Sequence, residues 1–381
     1  MSLIKLSYSE YDGQNRHWEV SDATFSDINL IVGKNSSGKS RLLSVINSFA
    51  KILAGQQKPF ESGKFSATIN LSGREFAYDI AFENGAIDSE KLLVNDDEKL
   101  VRHKDGSGKI YYDLEAKFLD FKLPPDAIAA VNRRDEKQHP YLIELHTWAS
   151  GVIIYLFGSD FGKGFVMGLT EAESLFRNPN PQLFDDPNKL VGIYSSAYAR
   201  YGDELNLAII ADMKTLGYSL NAVGTENIQE MIKSPVSAIC LFTQEEDLGF
   251  KNPQMYMSQG MFRALALAIH LNVCSFSKNK HLILVDDIGE GLDYERSVAI
   301  IDLLISKAQN HALQIVMTSN DRFVMNKVPL SYWSVLKRTG GDVVMFNERN
   351  SKKQFDNFKF IGLNNFDFFA SDYFTSEIGD V

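Results

Sequence analysis

The residues best placed to do chemistry are Gly33-Lys34-Asn35-Ser36-Ser37-Gly38-Lys39-Ser40. Two glycines five apart, followed at once by a lysine and a hydroxyl residue, form the G-x-x-x-x-G-K-[ST] phosphate loop. Glycines let the backbone wrap an anion, and successive N–H groups at a helix start point at its oxygens. Lys39 would reach the β and γ oxygens of a nucleoside triphosphate, and the Ser40 hydroxyl would ligate magnesium. The flanks suit the motif. Ile28-Asn29-Leu30-Ile31-Val32 reads as a buried strand, and Arg41–Phe49 has helical spacing.

A second set of residues lies far downstream. The apolar run His281–Val285 ends in Asp286-Asp287, followed by Gly291-Leu292-Asp293. A buried strand that delivers a carboxylate at its C-terminal end places Asp286 to order magnesium, usually through water. Asp287 then stands where a general base or water-positioning carboxylate would act. About 28 residues before Asp286, Ser258-Gln259-Gly260 opens a helix, leaving backbone N–H groups for an anion. Leu313–Met317 reads as the next strand, with Thr318-Ser319-Asn320-Asp321 at its end, where polar groups line ligand crevices in open α/β sheets.

The elements that must position these residues follow from the patterning. Residues 1–32 alternate as short strands with a turn at Asp12-Gly13, and residues 65–122 read as antiparallel strands with turns at Gly73 and Asn84-Gly85. Tyr141–Phe157 reads as helical. Residues 158–235, punctuated by Asn178-Pro179-Asn180-Pro181 and Asp185-Asp186-Pro187, read as an inserted helical lobe. The expected divisions are 1–157 and 236–349 as two halves of one nucleotide-binding head, 158–235 as the lobe, and 350–381 as an aromatic C-terminal segment. That segment holds Phe355, Phe358, Phe360, Phe366, Phe368, Phe369, Tyr373 and Phe374. Such rings either complete a core or anchor another chain.

Composition narrows the function classes. A net charge of −10 gives no support to a nucleic-acid partner, though a local basic groove stays open; Arg133-Arg134 with Lys137 is the one dense basic cluster. Cys240 and Cys274 sit in apolar surroundings with no C-x-x-C spacing, which suits a reducing cytoplasm. No apolar run has membrane-spanning length, so no membrane association is expected. Tyr8, Tyr11 and Trp18 either stack on a base or pack as core and edge residues.

In this order and spacing, the motifs resemble the ABC-type ATPase heads of the SMC, RecF and OLD group, and above all the compact ATPases of prokaryotic defence cassettes. The resemblance covers residues 1–60 and 236–325. It implies an α/β head with a mixed sheet, an antiparallel β subdomain and an inserted helical lobe. Gly33–Ser40 corresponds to Walker A, Met257–Arg263 to the signature motif, Asp286-Asp287 to Walker B plus the catalytic carboxylate, and Gly291–Asp293 to the D-loop. Asn320 falls at the switch-histidine position. The group implies ATP and Mg2+ as cofactors, with Ser258 and Gly260 of one head facing the γ-phosphate held by another, most simply a second copy of this chain. Asp287 replaces the usual Glu and Asn320 the usual His. A well-placed general base contributes roughly 10²–10⁴-fold, so hydrolysis is expected to be slow. The 60 residues after the switch strand are too few for the nuclease domain that OLD nucleases carry. The leading expectation is an ATP-driven switch or scaffold for a separately encoded effector in anti-phage defence; the alternative is a RecF-like ATP-gated DNA clamp.

Overall fold

The computed structural model describes residues 1–159, 162–177, 186, 188–277, 281–310, 313–359 and 361–376. Asn178–Pro181, Asp185, Pro187 and Phe360 lie outside them. The strands in chain order are β1 (Ser2–Glu10), β2 (Trp18–Thr24), β3 (Ile28–Val32), β4 (Ser62–Leu71), β5 (Arg74–Glu83), β6 (Ala86–Val94), β7 (Asp97–Arg102), β8 (Ser107–Tyr112) and β9 (Lys117–Lys122). There follow β10 (Val152–Leu156), β11 (Leu220–Asn227), β12 (Ile239–Glu245), β13 (Asn252–Pro253), β14 (His281–Asp286), β15 (Leu313–Thr318), β16 (Trp333–Thr339) and β17 (Asp342–Asn347). Two compact units result. One holds Met1–Val152, Asn279–Leu284 and Gln314–Val381, and the other holds Ile153–Lys278 and Val285–Leu313.

In the first unit the strands run β14-β15-β3-β16-β17-β2-β1 and then straight on through β4 to β9. The sheet is mixed: β15, β3 and β16 are parallel neighbours, whereas β1 pairs antiparallel with both β2 and β4. All five residues of β3 are buried, as suits a central strand of four apolar residues and Asn29, whose amide donates to the Ser26 and Ile315 carbonyls. From β4 to β9 the chain is an antiparallel meander, and burial alternates along β4 and β5. Its first two turns, Ser72-Gly73 and Asn84-Gly85, have positive φ at both residues, the hairpin geometry that matches strand twist.

The helix Lys39–Ala54 buries Leu42, Leu43, Ile46 and Phe49. The Phe49 ring lies 5.5 Å from Phe65, 6.0 Å from Tyr78 and 6.1 Å from Trp148, which ties this helix to β4, β5 and the helix Pro140–Ser150. The helical reading of Tyr141–Phe157 is corrected at its end. The helix stops at Ser150, Gly151 forms its C-cap, and Val152–Leu156 is a strand. The β-branched run Val152-Ile153-Ile154 favours extended backbone once the glycine has broken the helix.

The C-terminal aromatics build a small core of their own in the first unit. Phe355, Phe358, Phe368 and Phe374 are buried. Phe368 meets Phe355 at 4.7 Å and Phe358 at 5.0 Å between ring centroids, and Phe374 meets Phe346 of β17 at 5.3 Å.

The second unit combines the three-stranded antiparallel sheet β11-β12-β13 with the helices Leu190–Tyr201, Asp203–Thr215, Gln259–Phe276 and Tyr294–Asn310. Cys240 and Cys274 are both buried here as free thiols, and burial pushes their pKa values up to about 11 and about 12. They behave as small apolar residues. No helix among the described residues is long and apolar enough to cross a membrane.

Candidate nucleotide site

The phosphate loop grows out of the C-terminal end of β3. Ser37 N–H closes a tight turn by donating to the Lys34 carbonyl at 3.0 Å, and Ser36 (φ 64°) and Gly38 (φ 101°) turn the chain back into a helix. Gly38 is the N-cap of that helix and supplies no side chain, so no hydroxyl or carboxylate competes for the N–H groups of the first turn. Glycine is required at 38 twice over. The positive φ disfavours a side chain, and a Cβ would lie 3.3 Å from Cζ2 of the fully buried Trp18. At Gly33 a Cβ would collide with Ser37 Oγ and lie 2.9 Å from the Leu336 carbonyl.

Lys39 is 6% exposed, and its Nζ donates to the Gly33 carbonyl at 2.9 Å and reaches the Lys34 carbonyl at 3.5 Å. A buried ammonium held over a glycine-lined loop is the geometry that receives an anion. Ser37 Oγ is buried without a hydrogen-bond partner, a hydroxyl that a phosphate oxygen would satisfy. The loop residues therefore fit a polyphosphate. Of the three aromatics offered for base stacking, Tyr8 and Trp18 are core residues and Tyr11 lies under Arg16 at 3.7 Å. Trp18 serves the loop from below, with the Arg41 guanidinium 4.5 Å over its ring and Arg41 paired to Glu10.

Asn320 follows β15 in the same unit. Thr318 of β15 pairs in register with Ile31 of β3, and Ser319 N–H donates to the Ile31 carbonyl at 3.4 Å. Asp321 then caps the next short helix through the N–H groups of Phe323 and Val324. Exposed Asn320 thus sits at the same sheet end as the phosphate loop, one strand away.

Ser258, Gly260, Asp286 and Asp287 belong to the second unit. Ser258 is the N-cap of Gln259–Phe276, and its Oγ accepts from Met261 N–H at 3.1 Å. Gly260 abuts the turn after β14: a Cβ there would lie 3.2 Å from both the Gly291 carbonyl and the Leu292 side chain. Asp286 ends β14, its carbonyl accepting from Phe157 N–H at 3.0 Å, and Asp287 adopts φ 54° at the start of the turn. Both aspartates are half-buried.

Arg263 joins these pieces, a role that the sequence did not reveal. It is 8% exposed and donates to three backbone carbonyls: Gly158 at 2.9 Å, Ser159 at 3.1 Å and Glu290 at 2.8 Å. One guanidinium fork thereby fixes the helix that begins at Ser258 against the turn that follows Asp287. Its partners are main-chain oxygens up to 105 residues away, which leave no side-chain signal in the sequence.

With this geometry in place, comparison with known proteins is decisive. Residues 28–326 match the family described as "AAA domain, putative AbiEii toxin, Type IV TA system". The chain belongs to this AAA family. Two of the solved structures that match it illustrate the fold. One is an Smc head bound to the C-winged helix domain of ScpA, 14% identical with a TM-score of 0.55, covering 93% of this chain and 100% of that one. The other is an Smc head domain with an extended coiled coil, bound to the C-terminal domain of ScpA derived from Pyrococcus furiosus. It is 11% identical with a TM-score of 0.50, covering 94% of this chain and 100% of that one. No curated protein matches the chain. The AAA-family chain thus has a fold similar to that of an Smc head.

Proposed function

We propose that this chain binds ATP with magnesium, hydrolyses it slowly, pairs head to head with a second copy when ATP is bound, and in that state acts on a separately encoded effector in anti-phage defence. The observation that carries the reading is the phosphate loop, whose glycine-only approaches and buried Lys39 ammonium suit a triphosphate. The family description, with its toxin and type IV toxin–antitoxin system, supports the defence context.

Gly33–Ser40 would hold the phosphates. Ser40 and Asp286 offer the hydroxyl and carboxylate oxygens that a hard divalent cation prefers, and magnesium would supply charge neutralisation at the phosphates. Asp287 is assigned to position the attacking water, Asn320 to the switch role after β15, and Ser258 and Gly260 to face a partner head. The carboxylate of Asp287 is one methylene shorter than a glutamate, and Asn320 cannot shuttle a proton, which favours a long-lived ATP state over rapid turnover. The net charge of −10 gives no support to a DNA clamp.

Calorimetry with ATP on the wild type and on Lys39→Ala tests the binding, because the substitution removes the cation aimed at the β and γ oxygens. Light scattering with a non-hydrolysable ATP analogue, with Ser258→Arg as the disrupting variant, tests the pairing. Unchanged affinity in Lys39→Ala would sink the phosphate-loop assignment. An oligomeric state indifferent to both nucleotide and Ser258→Arg would sink the ATP-driven pairing.

A further inference from the structure

The phosphate loop is gripped from its outer side by two charged residues that lie in none of the nucleotide motifs. A cavity of about 320 Å3 opens beside the loop, and its lining includes Lys34, Ser36, Ser37, Arg338, Phe369 and Asp372. Arg338, near the end of β16, donates from Nε to the Gly340 carbonyl at 2.7 Å and from Nη1 to the Ser36 carbonyl at 3.3 Å. Lys34 Nζ lies 3.2 Å from Asp372 Oδ2.

Each contact restrains a different degree of freedom. Ser36 holds a left-handed φ of 64°, which is unfavourable for any residue with a side chain. Its carbonyl is taken by Arg338, while the N–H on the other side of the same peptide bond, that of Ser37, donates to the Lys34 carbonyl. The peptide is therefore fixed from both sides in the orientation that shapes the loop. Lys34, at the loop's entry, is steered outward by Asp372. That aspartate lies in the chain between Phe368 and Phe374, both of which are buried. Arg338 in turn is held by the Gly340 turn of the β16–β17 hairpin.

We propose that Arg338 and Asp372 are positioning residues for nucleotide binding, which hold the phosphate loop in its anion-receiving shape and make the aromatic C-terminal segment part of the nucleotide-binding unit. This rests on the ATP reading above. The mechanism is preorganisation: a loop that populates its competent shape only part of the time binds with affinity reduced by that fraction. The effect is indifferent to the number of phosphates, because neither residue is assigned a contact with the ligand.

The test is calorimetry with ATP and with ADP on the wild type, Arg338→Ala, Arg338→Lys, Asp372→Asn and Lys39→Ala, alongside thermal melts without nucleotide. Arg338→Ala should weaken ATP and ADP by the same factor, about tenfold, consistent with a loop that has lost most of its competent population. Arg338→Lys should recover part of the loss, and Asp372→Asn should weaken both nucleotides by a smaller common factor. Arg338 is exposed and Asp372 half-exposed, so the nucleotide-free melting temperature should move by no more than about 2 °C. In turnover, KM should rise and kcat should hold. Loss confined to ATP would make Arg338 a direct γ-phosphate contact and overturn the positioning role. So would wild-type affinity in Arg338→Ala when Lys39→Ala no longer binds. Tighter binding in Asp372→Asn would mean that the carboxylate repels phosphate, and would overturn its part. If Lys39→Ala itself bound normally, the ATP reading would fail, whatever Arg338 did.

Discussion

Replacing Arg263 by Ala removes the side chain that hydrogen-bonds the Ser258 helix to the turn after β14. The wild-type guanidinium satisfies the carbonyls of Gly158, Ser159 and Glu290 within 3.1 Å. A hydrogen bond from a charged donor contributes about 1.5–3 kcal/mol net, so three give at least about 4.5 kcal/mol. Water entering the vacated volume returns some of this, and a loss of roughly 4 kcal/mol is expected. Against a total stability of about 5–15 kcal/mol this is large but survivable. Urea unfolding followed by circular dichroism should show the midpoint fall, with Arg263→Lys intermediate because an ammonium cannot reach all three oxygens at once. Amide exchange in the nucleotide-free protein should accelerate first at residues 158–159 and 288–293. An unchanged midpoint together with unchanged exchange there would refute the reasoning, because it would mean that the three carbonyls are satisfied without the arginine.

Two further outcomes follow from the same structure. Gly38→Ala should cost about 2 kcal/mol, the sum of left-handed strain and crowding against Trp18, and should weaken ATP binding; calorimetry and melting on one sample check both. Burial pushes the pKa of His270 down to about 4, with its ring 4.6 Å from Tyr155. The unfolded imidazole, near 6.5, takes up a proton that the folded chain refuses, so stability is full above about pH 6.5 and drains as pH falls towards 4. On the order of 1 kcal/mol should be lost between pH 7.5 and 5.5 through this residue, and His270→Phe should flatten that part of the profile. Equal pH slopes in the two proteins would count against it.

The parts legible from sequence were those with local signals. The phosphate loop announced itself through a buried strand, two glycines and a helix start, all within 27 residues, 28–54. The meander was readable because period-two alternation survives along β4 and β5, and because Gly73 and Asn84-Gly85 are residue types that tolerate positive φ. Ser258 was recognisable as an N-cap by residue type alone. What stayed hidden was non-local. Strand β11 lies directly after a run of helices, and its alternation is blurred by Gly224 and by a bulge between Leu220 and Ala222. Arg338 and Asp372 act on loop residues more than 300 positions away. Arg263 binds only main-chain oxygens, which every residue possesses.

The strand order also dictates when the phosphate loop can exist during synthesis. Both sheet neighbours of β3 come from the far end of the chain, β15 at Leu313–Thr318 and β16 at Trp333–Thr339. The meander β4–β9 pairs each strand with the one just made and can close as it leaves the ribosome. At about 5–20 residues per second, β3 waits on the order of 15–60 s for its partners. Throughout that interval a strand with four apolar residues of five stands without either flank, a natural client for a chaperone. A transcript cut short between β9 and β15 yields a chain that has every strand of the meander but neither flank of β3.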